Sequence, residues 1–166
     1  MDILKISTEW ARAELFSAKI VGLLSLIVLL TAVGFALWGK TVMAKAFIIP
    51  MIVAGLFLLA VGIGLYAANK PRIEQFKTEY NTDANSFVQK EIVRTTKSQG
   101  EFHTVFKVLP AIIIVAVILL MLFPSANWRA ITLTVIITSA FLMLIDSNTE
   151  ARNTNYREQL LKFKKV

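Results

Sequence analysis

The stretch IVGLLSLIVLLTAVGFALWG (Ile20–Gly39), followed six residues later by AFIIPMIVAGLFLLAVGIGLYAA (Ala46–Ala68), decides the fold. Neither run contains a charged residue. An α-helix rises 1.5 Å per residue, so about 20 residues cross a hydrocarbon core of roughly 30 Å. Both runs meet that length. Two shorter runs, Val108–Phe123 and Ala130–Ile145, repeat the pattern. The third reaches full length by extending back through Phe102–Phe106, with Lys107 snorkelling its ammonium to the headgroups. The fourth starts near Ala126. The expected fold is an all-α integral membrane protein with four transmembrane helices in two hairpins and amphipathic cytoplasmic helices. The spans fall at about 18–39, 45–68, 104–123 and 127–146, within a single membrane domain 1–166.

Composition agrees. Hydrophobic residues make up 56% of the 166 and charged residues 17%. Such a chain has too little polar surface to cover its apolar helices in water. The first run is longer than the apolar core of a signal peptide. It also follows a segment carrying Asp2, Glu9 and Glu14, so it reads as a retained span. Cysteine is absent, which removes disulfides, thiolate nucleophiles and Cys-based lipid anchors.

The charges outside the runs are sorted by side. All 11 acidic residues and 15 of the 18 Lys/Arg lie in residues 1–19, 69–107 and 146–166. Only Lys40, Lys45 and Arg129 lie in the short turns. The positive-inside rule then places both termini, the connector 69–103 and the tail 147–166 in the cytoplasm of a plasma (inner) membrane protein. Trp38 and Trp128 fall at the outer boundary, and Trp10 and Tyr66 at the inner one.

Local signals divide the cytoplasmic part. Pro71 redirects the chain as it leaves the second span. Asn81-Thr82-Asp83 reads as a turn or cap before a helix from about Ala84 to Ser98. Gly100 is expected to end that helix or kink it into the third span. Pro50 and Pro110 read as prolines about one turn inside their spans.

Polar positions inside the membrane are few. No acid or base lies in the middle of a span, which argues against proton-coupled transport. On the fourth run Thr132, Ser139 and Asp146 are seven residues apart on one face, flanked by Thr138. In an oligomer that face is a candidate pore lining, with Asp146 as a ring of carboxylates. The alternative is that the hydroxyls bond carbonyls of their own helix and Asp146 caps an exit helix. Ala60, Gly64 and Ala68 fall four apart, a small-residue face for helix packing within or between subunits.

Lys90, Arg94 and Lys97 form one stripe on the connector helix, and Arg152 and Arg157 lie on the tail. Together they are candidates for binding an anionic ligand or lipid headgroups. Tyr156, Leu160 and Phe163 share a tail face suited to the membrane surface or to another helix. His103 is the only histidine, and no metal or other cofactor is expected. No P-loop, dinucleotide fingerprint or nucleophile elbow occurs, so an enzyme is not expected.

In size, topology and charge the plan resembles the small multispan membrane effectors of bacterial defence systems, which couple a few helices to a basic signal-sensing part. The functional expectation is a homo-oligomeric ion channel or membrane-permeabilising effector gated through basic cytoplasmic helices. The alternative is a non-conducting scaffold, assembly or immunity subunit. Expected partners are the lipid bilayer, further copies of the chain, a membrane or cytoplasmic protein, and an anionic ligand, with nucleic acid only as a small signal.

Overall fold

The computed structural model describes residues 2–164. Five helices account for nearly all of them: α1 (Ile3–Trp38), α2 (Val42–Asn69), α3 (Arg72–Thr82), α4 (Ala84–Leu122) and α5 (Ala126–Lys164). Stretches within α1, α2, α4 and α5 are long and apolar enough to cross a membrane.

The breaks follow local chemistry. Asp2 caps α1 by accepting from Lys5 N at 3.1 Å, and Thr41 caps α2 by accepting from Ala44 N at 3.1 Å. Lys70 and Pro71 form the turn between α2 and α3. Asp83 leaves the helical region (φ −155°, ψ 101°) and its carboxylate accepts from Asn85 N and Ser86 N at 3.0 and 3.1 Å. It starts α4 where the sequence places it.

Three local readings change in the structure. α4 runs on through Gly100 into the third span, so Gly100 does not end it. Pro110 consequently lies deep inside a 39-residue helix, not near a helix start. Asp146 likewise sits within α5, which continues to Lys164, and does not open a separate exit helix. A glycine or a lost donor is a modest local penalty against a helix whose two halves are each held by packing.

The helices pack unequally. α1 lies along α2, and α4 along α5. α5 also meets α2 and α1, whereas α4 makes no close backbone approach to either. Only 6% of the most apolar window of α4 is buried, against 22% for α5, so α5 is the central span and α4 the peripheral one. The end of the bundle formed by the start of α1, the end of α5 and α3 is polar outside. Its core joins Ile3, Trp10 and Ala11 to Phe76, Phe87, Tyr156 and Leu160. The tail face of Tyr156, Leu160 and Phe163 therefore packs on other helices.

Between α1 and α2 the backbones nearly touch. A Cβ at Gly62 would stand 3.2 Å from Gly22 N and 3.4 Å from Ala18 O. Ser25 Oγ donates to Gly55 O across this contact at 2.8 Å. The buried stripe of α2 is Ala54, Gly55, Leu58, Gly62 and Asn69. Ala60, Gly64 and Ala68 lie on the exposed side, and a Cβ at Gly64 would meet nothing within 4 Å. Gly62→Leu is therefore expected to lower stability in detergent by about 1–3 kcal/mol through overpacking. Gly64→Leu should leave the melting temperature unchanged; equal loss in both variants would refute this packing.

Candidate functional site

Two features concentrate the polar chemistry: an interlocked cluster at the polar end, and a cleft between the spans.

The cluster draws on three of the long helices. Glu91 and Arg94 sit one turn apart on α4. Arg94 Nε and Nη2 donate to Glu91 Oε1 and Oε2 at 2.8 and 2.7 Å, a two-pronged ion pair. The Arg94 guanidinium lies 4.1 Å over the Trp10 ring of α1. Trp10 stacks on Tyr156 of α5, with centroids 5.3 Å apart. The Tyr156 hydroxyl donates to Glu91 Oε2 at 2.9 Å and lies 2.8 Å from Ser7 Oγ of α1. Burial raises the Tyr156 pKa, and the Glu91 carboxylate adds to the rise, so the phenol stays protonated and remains a donor.

One turn towards the membrane, Arg152 of α5 meets α1. Its Nε and Nη2 both donate to Glu14 Oε1 at 3.1 Å, and Nη2 also reaches Ser17 Oγ at 2.8 Å. Asn153 Nδ2 donates to Thr95 O at 3.0 Å, tying α5 to α4. Glu14 is only 6% exposed, and burial raises its pKa above the ordinary carboxylate value despite the opposing pull of Arg152. A carboxyl whose folded pKa is raised contributes its stability at low pH and loses it as pH rises through the folded value.

The other sequence candidates take several positions. Lys90 pairs with Glu79 at 2.8 Å on the surface, and Lys97 lies 3.9 Å from Glu101. Arg157 Nε donates to Thr96 Oγ1 at 2.9 Å. Of the five cationic candidates, Arg94 and Arg152 thus belong to the cluster, and the other three face partners at its edge. Thr132 is buried and donates to Trp128 O at 2.8 Å. Asp146 is half-buried beyond the cleft. Ser7, Trp10, Glu14 and Glu91 carry the cluster unannounced by the sequence reading. The signal for the three on α1 is the recurrence of Ser7, Glu14 and Val21 every seventh residue, with Trp10 and Ser17 between, a polar seam continuous with the buried face of the span.

The cleft lies where α4 stands away from α2. It is an open groove of about 660 Å³, a size ordinary for ligand sites. Its walls are apolar: Ile49, Val53 and Phe57 of α2, Ile131 and Val135 of α5, and Ile112 of α4. Lys45 and Asn127 stand at the end next to the turns. Thr134, Thr138 and Ser139 line the α5 wall, and Thr134 bonds Ala130 O at 2.8 Å. Thr138 and Ser139 are thus the two pore candidates found on the cleft; Thr132 and Asp146 are not among its lining residues.

Two tests address the cluster. Tyr156→Phe keeps the stack on Trp10 and removes the hydroxyl from Glu91, so the melting temperature should fall by the equivalent of about 1–2 kcal/mol. Arg152→Ala leaves Glu14 buried without its cation, a loss of about 3 kcal/mol at neutral pH. That loss should grow from pH 5 to pH 8, because the unpaired carboxyl must ionise as pH rises, and it should become pH-independent in Arg152→Ala with Glu14→Gln. A loss that shrinks as pH rises would contradict this assignment. No protein-family model matches the chain, and comparison with curated proteins and with solved structures finds no match.

Proposed function

We propose that this chain is a non-conducting multi-pass subunit, with its termini and α3 on the cytoplasmic side, that acts by associating with other membrane components. The observation that carries this reading is the placement of the polar face of α5. Thr132, Thr134 and Ser139 are buried within the chain, and the first two bond carbonyls of their own helix. A pore-lining helix presents such groups to water instead. α5 is the central span, flanked by α1, α2 and α4, and the surface it leaves exposed is apolar, at Ile131, Ile137 and Leu144. Arg94 and Arg152, two of the five cationic candidates, are held in largely buried ion pairs within the chain, which supports a rigid scaffold over an open ligand patch.

A homo-oligomeric channel or permeabilising effector is the second reading. Two observations favour it: Ala60, Gly64 and Ala68 lie exposed on α2, and Thr138 and Ser139 border the cleft. Reconstitution in liposomes separates the two. The first reading expects potassium and chloride flux equal to that of empty liposomes. It also expects a second protein in stoichiometric amount after purification in mild detergent. Flux above the control that is lost in Thr138→Leu and Ser139→Leu would overturn it in favour of the channel.

A further inference from the structure

The cleft has a charged mouth and a greasy interior, and the two are ordered along the membrane normal. Lys45 lies in the first turns of α2, and Asn127 is the second residue of α5. Both helices therefore begin at the mouth, with the positive ends of their dipoles there and, on α2, the first-turn N–H groups that Thr41 does not take. A lysine at a helix N-terminus is electrostatically adverse unless an anion is near. Lys40 and Arg129 stand at the same end of the bundle. No acidic residue lies in either turn, and Lys40, Lys45 and Arg129 form no salt bridge among the described residues. From the mouth the apolar wall of α2 runs from Lys45 to Phe57, about 18 Å at 1.5 Å per residue. That is a little more than one leaflet of a core roughly 30 Å thick.

We propose that this cleft is a binding site for an anionic phospholipid from the leaflet next to the two turns. One acyl chain lies between α2, α4 and α5, and the phosphate sits against Lys45 and the N-termini of α2 and α5. Asn127 supplies an amide for the phosphate or the ester oxygens. Thr138 and Ser139 can each bond a carbonyl of their own helix, as Thr134 does, so they do not oppose a hydrocarbon chain. The lipid fills the space that separates α4 from α2. The proposal holds whether or not the chain conducts: flux decides the reading above, and lipid retention decides this one.

The test is native mass spectrometry of the full chain from mixed micelles holding either phosphatidylglycerol or phosphatidylcholine. The expected result is one retained phospholipid per chain, with roughly fivefold preference for the anionic headgroup, the factor one lysine near a membrane surface supplies. Lys45→Gln, a change on the exposed rim, should remove the preference while keeping the bound lipid. Val53→Trp fills the cleft from a position that is 62% exposed, and it should abolish retention. Ile63→Trp, at a 60% exposed position on α2 outside the cleft, should retain lipid as the unaltered chain does. Equal retention in Val53→Trp and the unaltered chain would overturn the site. So would equal loss in Ile63→Trp, which would mean unspecific annular lipid. Unchanged headgroup preference in Lys45→Gln, or a free fatty acid in place of a phospholipid, would overturn the assigned ligand.

Discussion

Lipid gives apolar helices no hydrophobic reason to associate, because the tails they would exclude are as apolar as their own side chains. The whole arrangement answers that constraint. In the span region the closest pairing, α1 with α2, is made by small residues and one interhelical hydrogen bond from Ser25 to Gly55 O. α4 lacks such a contact with α1 or α2 and stays peripheral. What holds it on that side lies at the polar end, where Glu91, Arg94 and Thr95 engage Trp10 of α1 and Asn153 and Tyr156 of α5. Long unbroken helices make this work, since a contact at one end constrains the direction of the whole rod.

The polar cluster is the more specific half of the design. Each ion pair is largely buried and each has an added hydrogen-bond partner. Glu91 accepts from both prongs of Arg94 and from Tyr156, and Arg152 serves Glu14 and Ser17. Buried pairs of this kind contribute little net stability, because desolvation offsets much of their attraction. They penalise misregistered alternatives strongly, since a slipped helix would leave a charge without its partner. The raised pKa of Glu14 shows the same balance, with burial outweighing the nearby guanidinium. The cleft is the counterpart of this clamp. It exists because α4 is fastened to α5 along its length and to α1 only at the polar end, so its span does not close on α2.

Much of this was legible in the chain, and the illegible parts share a cause. The number of helices long and apolar enough to span a membrane follows from uninterrupted apolar length, which needs no neighbour to define it. The Asp83 cap was legible because a cap is a local hydrogen bond. That α4 does not end at Gly100 was not, because a local breaking tendency is overridden by packing on either side. The two small-residue stripes of α2 are another such case. Ala60, Gly64 and Ala68 satisfy the four-residue spacing rule, whereas Gly55 and Gly62 stand seven apart, yet within the chain it is the second stripe that meets a neighbour, in Gly22 and Ser25 of α1. The tail face of Tyr156 and Leu160 was visible as a face, but its destination was not.

By itself the sequence determined that four segments are long and apolar enough to span a membrane, that the charges divide between the two ends, and that no charge sits in mid-span. Each is a property of composition along one dimension. Only the tertiary structure decided which cations are neutralised within the chain, which hydroxyls are buried, and where the helices part to leave a cleft. Those depend on rotation of each helix about its axis and on distances between residues as far apart in sequence as Glu14 and Arg152. Charge and hydropathy patterns leave such rotations open to several answers, and side-chain complementarity selects one.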